Sequence, residues 1–126
     1  MRTATFLCLA GGLAVTGPAA AGPDLQRGQT LARKHCAFCH VVGDFNRFGG
    51  IGSTPSFQIL VKLADSRERF QTFFARRPHP SFMLLPDQSP PTALPLNAPP
   101  VRLTYDDIDD IVAYALSLKS APARKK

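Results

Sequence analysis

Cysteine and methionine are scarce in this 126-residue chain, which contains three cysteines and two methionines. Long apolar runs are missing too, because the stretch from Ala4 to Val15 is broken by Gly11 and Gly12 and falls short of the roughly 20 residues that a bilayer span needs. We find no internal repeat and no convincing strand pattern. The sequence therefore supports neither a membrane anchor nor a repeat array, and it gives no support to a sheet-based fold.

The first 21 residues have the layout of a secretory signal peptide. Arg2 supplies the positive start, an apolar stretch follows, and the small residues 19–21 form a cleavage site after Ala21. Removal of 21 residues from 126 leaves 105, enough for one domain with a modest core. We therefore expect a signal peptide at 1–21, a single domain at 22–120, a basic tail at 121–126 and a periplasmic location.

The chain is basic, with a formal charge of +6 that becomes +5 once Arg2 leaves with the signal peptide. Such a charge suits docking to an acidic protein face. Nucleic-acid binding is the other interpretation of this charge, but no basic stripe with interleaved aromatic residues supports it. Protein partners are therefore predicted, and nucleic acid is not.

Capping residues and apolar periodicity predict four helices. Their start signals are Asp24, Thr54 before a proline, Asp65 with Glu68 as a capping box, and Thr104 with Asp107 three residues later. The predicted spans are 24–37, 55–63, 65–77 and 104–120, and a glycine-rich loop covers 41–53.

Residues 79–100 contain seven prolines, which remove backbone donors and disfavour both helix and central strand. An extended loop wrapped over the domain is the prediction. For residues 88–97 a disordered linker is an equal alternative. The role of the segment 86–100 stays open.

The clearest motif is Cys36-Ala37-Phe38-Cys39-His40, a C-x-x-C-H pattern. This is the attachment pattern of a c-type haem, in which two thiols bind the vinyl groups of the porphyrin and the next imidazole binds its iron. Because Cys8 lies in the signal peptide, Cys36 and Cys39 are the only cysteines of the mature chain. Thioether bonds also explain why the sulfurs of an exported protein need not pair as a disulfide.

The motif has three other possible interpretations. A thioredoxin-like redox pair needs a neighbouring βαβ pattern, which is absent. A zinc site from Cys36, Cys39, His40 and either His35 or His79 lacks a second paired-ligand cluster at finger spacing. A plain disulfide leaves His40 without a role.

A second axial ligand for the iron can come from His35, His79 or Met83. Met83 is the only methionine of the mature chain, lies between prolines 80 and 86, and is the favoured ligand, with His79 as its main competitor. His35 is expected to be an exposed helix residue. The alternative role for Met83 is to fill a gap in the core.

The chain resembles a class I, monohaem cytochrome c of the bacterial periplasmic kind. The resemblance lies in the C-x-x-C-H motif, in His-Pro-x-x-Met at 79–83 and in Ala113-Tyr114 of the last helix. It implies an all-α fold, one covalent haem, and a crossing of the first and last helices at Gly28 and Tyr114. It also implies that the carbonyl of Pro55 holds the imidazole of His40.

Two features depart from the family pattern. Ala32 stands where the family often has an aromatic residue, so Leu31 is expected to replace that contact. The proline-rich insert after Met83 is the second departure, and it affects which face meets partners.

The expected function is that of a monomeric electron carrier without catalytic turnover, which exchanges single electrons with a dehydrogenase, oxidase or reductase. Two alternatives come from other classes. An iron with an open axial position predicts a haem enzyme or a gas or peroxide sensor, and a zinc-loaded motif predicts an interaction module.

Overall fold

The structure is a computed structural model that describes residues 22–89 and 99–120. The predicted signal peptide, the basic tail and residues 90–98 lie outside the described residues. Four α-helices and two short strands form this part of the chain, in the order α1 (Leu25–His35), α2 (Phe57–Leu60), α3 (Ser66–Gln71), β1 (Met83–Leu84), β2 (Val101–Arg102) and α4 (Tyr105–Ser117). Turns of 3-10 helix lie at Asp44–Asn46, Phe73–Ala75 and His79–Ser81. Within the described ranges no helix is long and apolar enough to cross a membrane.

Helices α1 and α4 begin where the sequence predicts. The carboxylate of Asp24 accepts hydrogen bonds from the backbone N–H groups of Gln26 and Arg27 at 2.8 and 3.1 Å. At the start of α4, Thr104 and Asp107 form a reciprocal capping box, with side-chain to backbone distances of 3.1 and 2.7 Å. Both caps satisfy backbone donors that the first turn of a helix leaves without partners.

The two middle helices differ from the prediction. Ser56, and not Thr54, caps α2, since its hydroxyl accepts from a backbone N–H in the first turn. The predicted capping box at the start of α3 is wrong, because the carboxylate of Asp65 accepts from Arg69 at 2.8 Å and makes no cap bond. Helix α3 is also shorter than predicted, because the chain continues as a 3-10 turn.

Strands β1 and β2 were not predicted. They pair in parallel, with Met83 opposite Val101 and Leu84 opposite Arg102. A strand of two residues has no room to show the alternation that marks a strand in a sequence, and its partner lies beyond the proline-rich segment. The pairing holds the two ends of that segment together just before α4.

Helices α1 and α4 cross in direct backbone contact at Gly28. A Cβ atom on Gly28 would lie 2.0 Å from the carbonyl oxygen of Asp110 and 3.0 Å from the Cβ of Tyr114. The resemblance therefore placed the crossing correctly, at Gly28 and Tyr114. One turn later, Ala32 is fully buried, and Leu31 packs partly buried against the same core as expected.

An ionic cluster reinforces the crossing. The guanidinium of Arg27 on α1 pairs with the carboxylates of Asp107 and Asp110 on α4. Asp110 also accepts from the backbone N–H of Asp24 at 2.6 Å. Burial acts to raise the pKa of Asp107, but hydrogen bonds from Thr104 and the charge of Arg27 outweigh it and hold the pKa below its ordinary value.

The Gly28→Ala substitution should lower the free energy of unfolding by about 1–3 kcal/mol, because the new methyl group meets backbone atoms that cannot rotate away. Guanidinium denaturation of the haem-loaded protein measures the change. Gly52→Ala is the matched control, because a Cβ there meets nothing within 4 Å. Equal midpoints for both variants and the wild type contradict the prediction.

Acid should weaken the crossing through Asp107. Because its pKa is depressed in the folded state, its carboxylate contributes stability above the unfolded pKa of about 3.9, and this contribution is lost as the pH falls through the folded value. Asp107→Asn should therefore lose less stability than the wild type between about pH 5 and pH 2. Denaturation midpoints across this range measure the difference, with exposed Asp109→Asn as the control. Parallel curves for Asp107→Asn and the wild type speak against it.

Candidate functional site

The C-x-x-C-H motif lies where α1 ends. Cys36 is the C-terminal cap of α1, and its carbonyl accepts from the backbone N–H groups of Cys39 and His40 at 3.1 and 2.9 Å. This tight turn brings two sulfurs and an imidazole to one side of the chain. Cys36 is buried, Cys39 is partly buried, and their sulfurs are not joined.

The environment of Cys36 does not suit a dithiol redox centre. Burial, with a smaller contribution from Cys39, raises the pKa of the Cys36 thiol to about 12. Redox-active C-x-x-C pairs depend on a lowered thiol pKa, often at a helix N-terminus, whereas Cys36 lies at a helix C-terminus. The thioredoxin-like interpretation therefore has no support in this geometry.

Asn46 holds the motif in shape, and the sequence analysis did not single it out. Its amide nitrogen donates to the carbonyls of Ala37 and His40 at 3.2 and 2.8 Å, and its amide oxygen accepts from the backbone N–H of Val42 at 2.9 Å. The loop has little regular structure, so this side chain replaces the hydrogen bonds that a helix would supply. The sequence feature that could have identified this role is an asparagine shortly after the motif in a glycine-rich loop.

His40 is fixed by its Nδ1 atom, which lies 2.7 Å from the carbonyl oxygen of Pro55. Because a carbonyl can only accept, Nδ1 carries the proton and Nε2 keeps its lone pair. Phe57 packs its ring edge-on at 5.6 Å. Burial lowers the pKa of His40 in spite of the bond to Pro55, which favours the neutral imidazole that a metal ligand requires. That His40 binds iron stays a prediction.

His79 lies opposite His40. Their ring centroids are 6.1 Å apart and their planes are parallel to within 7°. The Nδ1 atom of His79 lies 2.9 Å from the carbonyl oxygen of Arg76, and the ring packs against Phe73 and Phe82 at 5.7 and 5.9 Å. Burial, together with nearby His40, lowers the pKa of His79.

Met83 and His35 border the same cavity in different ways. Met83 is 4% exposed and belongs to the apolar core, where β1 holds its backbone. His35 ends α1 and is partly buried, not exposed as expected, and burial lowers its pKa. Every predicted site residue thus borders this cavity, while the ligand roles stay predictions.

The cavity has a volume of about 1130 Å³. This is slightly above the roughly 300–1,000 Å³ usual for ligand pockets, so it suits a large planar group. Both aromatic and basic side chains line the cavity, among them Phe57, Phe70, Phe73 and Phe82 and Lys34, Arg69, Arg76 and Arg77. Two thiols, an imidazole, an apolar wall and cationic groups fit a haem, which needs covalent attachment, an axial ligand, exclusion of water and partners for its carboxylates.

A zinc site is not assembled. Within residues 22–89 and 99–120, no group of three or more His, Cys, Asp or Glu side chains is placed to hold a metal ion. The alternative tetrahedral set from Cys36, Cys39, His40 and a second histidine is therefore not assembled in these ranges.

Loss of the Asn46 side chain should loosen the motif. Asn46→Ala removes three hydrogen bonds and should lower the free energy of unfolding of the haem-loaded protein by about 1–3 kcal/mol. Asn46→Asp keeps the acceptor for Val42 but loses both donors, so it should also destabilise. Guanidinium denaturation measures both, and unchanged midpoints would show that the loop does not need this side chain.

Comparison with known proteins agrees with this site. A family model described as cytochrome c matches residues 25–119. Cytochrome c-552 of Bradyrhizobium diazoefficiens is 27% identical over 113 residues, which cover 90% of this chain and 92% of that protein. No solved structure matches the chain. Since the family model covers most of the chain and the fold is predominantly helical as predicted, the protein belongs to the cytochrome c family, as a class I monohaem member with a covalently attached haem.

Proposed function

We propose that this chain is an exported, soluble carrier that exchanges single electrons between redox proteins of the periplasm. In this proposal Cys36 and Cys39 form the two thioether bonds and His40 is the proximal iron ligand, held by Pro55. The supporting observation is the turn at the end of α1, which directs two unpaired sulfurs and an Nδ1-fixed imidazole into one large cavity.

The haem iron supplies a reversible one-electron couple. The chain's own contribution is to hold the His40 ring in one orientation, to exclude water and to limit access. Phe57 packs edge-on against the His40 ring at 5.6 Å and against Phe70 at 5.0 Å, and all three side chains line the cavity. Hydrogen bonding of Nδ1 to Pro55 raises the basicity of the ligand nitrogen and keeps its direction fixed.

Whether a substrate can bind to the iron depends on whether the chain supplies a second axial ligand. Two candidates for the second axial ligand, His79 and Met83, border the same cavity as His40. With either of them bound, a substrate has no free coordination position on the iron. This supports a carrier over the alternative, a haem enzyme or sensor with an open axial position.

Charge at the cavity suits an acidic protein partner. Lys34 and Arg77 border the cavity and are exposed, and the whole chain has a formal charge of +6. Phe38 is 72% exposed within the motif and adds an apolar contact beside these charges. An apolar centre with a charged rim is a common composition for a protein–protein interface. Partners of the dehydrogenase, oxidase or reductase class fit this surface, and the carrier acts as a monomer.

The mass of the secreted protein tests the proposal. When it is expressed with a signal-peptide-dependent export route and a haem-attachment system, we expect a periplasmic chain that begins at Gly22 and is heavier than residues 22–126 by one haem. A Cys36→Ser, Cys39→Ser double variant should be exported without the added mass. An unmodified mass for the wild type in the same host contradicts covalent attachment, and an intact leader contradicts export.

The visible spectrum of the same sample separates carrier from enzyme. We expect low-spin iron in both oxidation states and slow binding of carbon monoxide, because both axial positions are filled. High-spin iron with rapid carbon monoxide binding indicates an open position and overturns the carrier function, even when the haem is attached.

A further inference from the structure

Exposed apolar side chains are concentrated in the motif and in the loop that follows it. Of the eight large apolar side chains that are exposed within residues 22–89 and 99–120, four belong to residues 38–51, namely Phe38, Phe45, Phe48 and Ile51. Phe48 is 91% exposed and Phe38 72%. Apolar side chains scattered singly over a surface are ordinary, whereas a group of them in one short segment is typical of an interaction site.

Two arginines lie over two of these rings. The guanidinium carbon of Arg33, in the last turn of α1, is 4.3 Å from the centre of the Phe45 ring. That of Arg47 is 4.8 Å from the centre of the Phe48 ring. Both distances are in the range of cation–π contacts. Each contact holds a long charged side chain beside an apolar ring, so the surface presents positive charge and apolar area together.

The loop is attached to the motif through its backbone. The N–H of Ile51 donates to the carbonyl of Cys39 at 2.9 Å, and the amide of Asn46 donates to two further carbonyls of the motif. Gly50 has a φ of +78°, which favours glycine, and a Cβ atom there would lie 3.1 Å from the carbonyl oxygen of Cys39. A surface that is ordered before a partner arrives loses less entropy when the partner binds.

The same segment is cationic. Residues 33–51 contain the exposed basic side chains Arg33, Lys34 and Arg47 and one acidic residue, Asp44, while the other eight acidic residues of the chain lie outside the segment. A surface that complements it is therefore acidic at its rim and apolar at its centre. Two copies of this chain would bring like charges together, which disfavours self-association through this segment.

The composition of the segment favours a protein partner over a lipid surface. Protein interfaces are enriched in aromatic residues and arginine and depleted in lysine, and here two arginines and three phenylalanines accompany one lysine. Recognition of anionic lipid relies on clusters of about 4–8 basic side chains. The three basic side chains of this segment fall short of such a cluster.

We propose that the side chains of Arg33, Phe38, Phe45, Arg47, Phe48 and Ile51, here called the loop patch, form the docking surface for an acidic redox protein. The inference rests on the proposed function, in which the haem is attached at the motif. Of the two cysteines, Cys39 is the more accessible, and its carbonyl is the one that the loop contacts. A partner on the loop patch lies beside this attachment point, and electrons enter and leave the haem on this side of the domain.

The rate of electron transfer from a protein donor tests the proposal. The probe is flavodoxin hydroquinone, a one-electron donor on an acidic protein, which reduces the oxidised haem-loaded chain in a stopped-flow instrument. At low ionic strength, Phe48→Ser and Arg47→Glu should each lower the second-order rate constant at least about fivefold, which corresponds to about 1 kcal/mol of lost interaction. Arg47→Glu should also reduce the dependence of the rate on salt, because it replaces an attraction with a repulsion.

Ile59→Ser and Arg67→Glu are the matched controls, because both side chains are exposed and neither belongs to the loop patch. Both should keep the wild-type rate. A wild-type rate in Phe48→Ser, or an equal loss in Arg67→Glu and Arg47→Glu, overturns the proposal. So does sedimentation of the wild type with phosphatidylglycerol vesicles that Phe48→Ser abolishes, because it assigns the surface to lipid. A wild type without covalent haem by mass contradicts the proposed function instead, and this is known before any rate is measured.

Discussion

At Gly28 the backbone of α1 comes so close to the carbonyl of Asp110 that any side chain would push the two helices apart. The position of the cavity depends on this approach, because α1 carries the two cysteines on its last turn and the turn after it, and α4 supplies Ile111 to the cavity wall. Arg27, which directly precedes the glycine, pairs with two carboxylates of α4, Asp107 in its first turn and Asp110 in the next. The helix dipole favours acidic residues in that first turn.

Beyond the crossing, short helices, 3-10 turns and the strand pair line the cavity, and single side chains and carbonyl groups hold the connecting loops in shape. Asn46 ties three backbone groups of the motif loop, and Tyr114 donates to the carbonyl of buried Val42 at 3.3 Å. The carbonyls of Pro55 and Arg76 each orient a histidine. A site built in this way holds its side chains in fixed positions, which is what a redox centre with small reorganisation requires.

The sequence predicts the first and last helices of the domain better than the segments between them. The caps at Asp24 and Thr104 could be recognised because capping is local, and the crossing at Gly28 came from the family resemblance. The start of α3 at Asp65 was recognised as well, but its capping box does not form, because the carboxylate of Asp65 pairs with Arg69 through a side-chain geometry that the sequence does not contain. The strand pair was missed because its partners lie on either side of the proline-rich segment and show no pattern of their own.

The site residues also differ in how far the sequence could predict them. Cys36, Cys39 and His40 could be placed in one site from their spacing alone, and the family resemblance supplied the carbonyl of Pro55 as the partner of the imidazole. A choice between His79 and Met83 depends on which side chain faces the cavity. They lie four positions apart in the chain, and the sequence offers no local rule for the direction of either side chain.

The strand pair β1 and β2 determines where this protein tolerates changes in chain length. It joins the chain on both sides of the proline-rich segment by two pairs of residues, so the segment begins and ends at one place on the domain. Doubling the length of a loop between two fixed ends costs only about 0.6 kcal/mol. Natural variation in length can therefore accumulate there without disturbing the redox centre, and the same position offers an attachment point for a surface tether or an optical reporter.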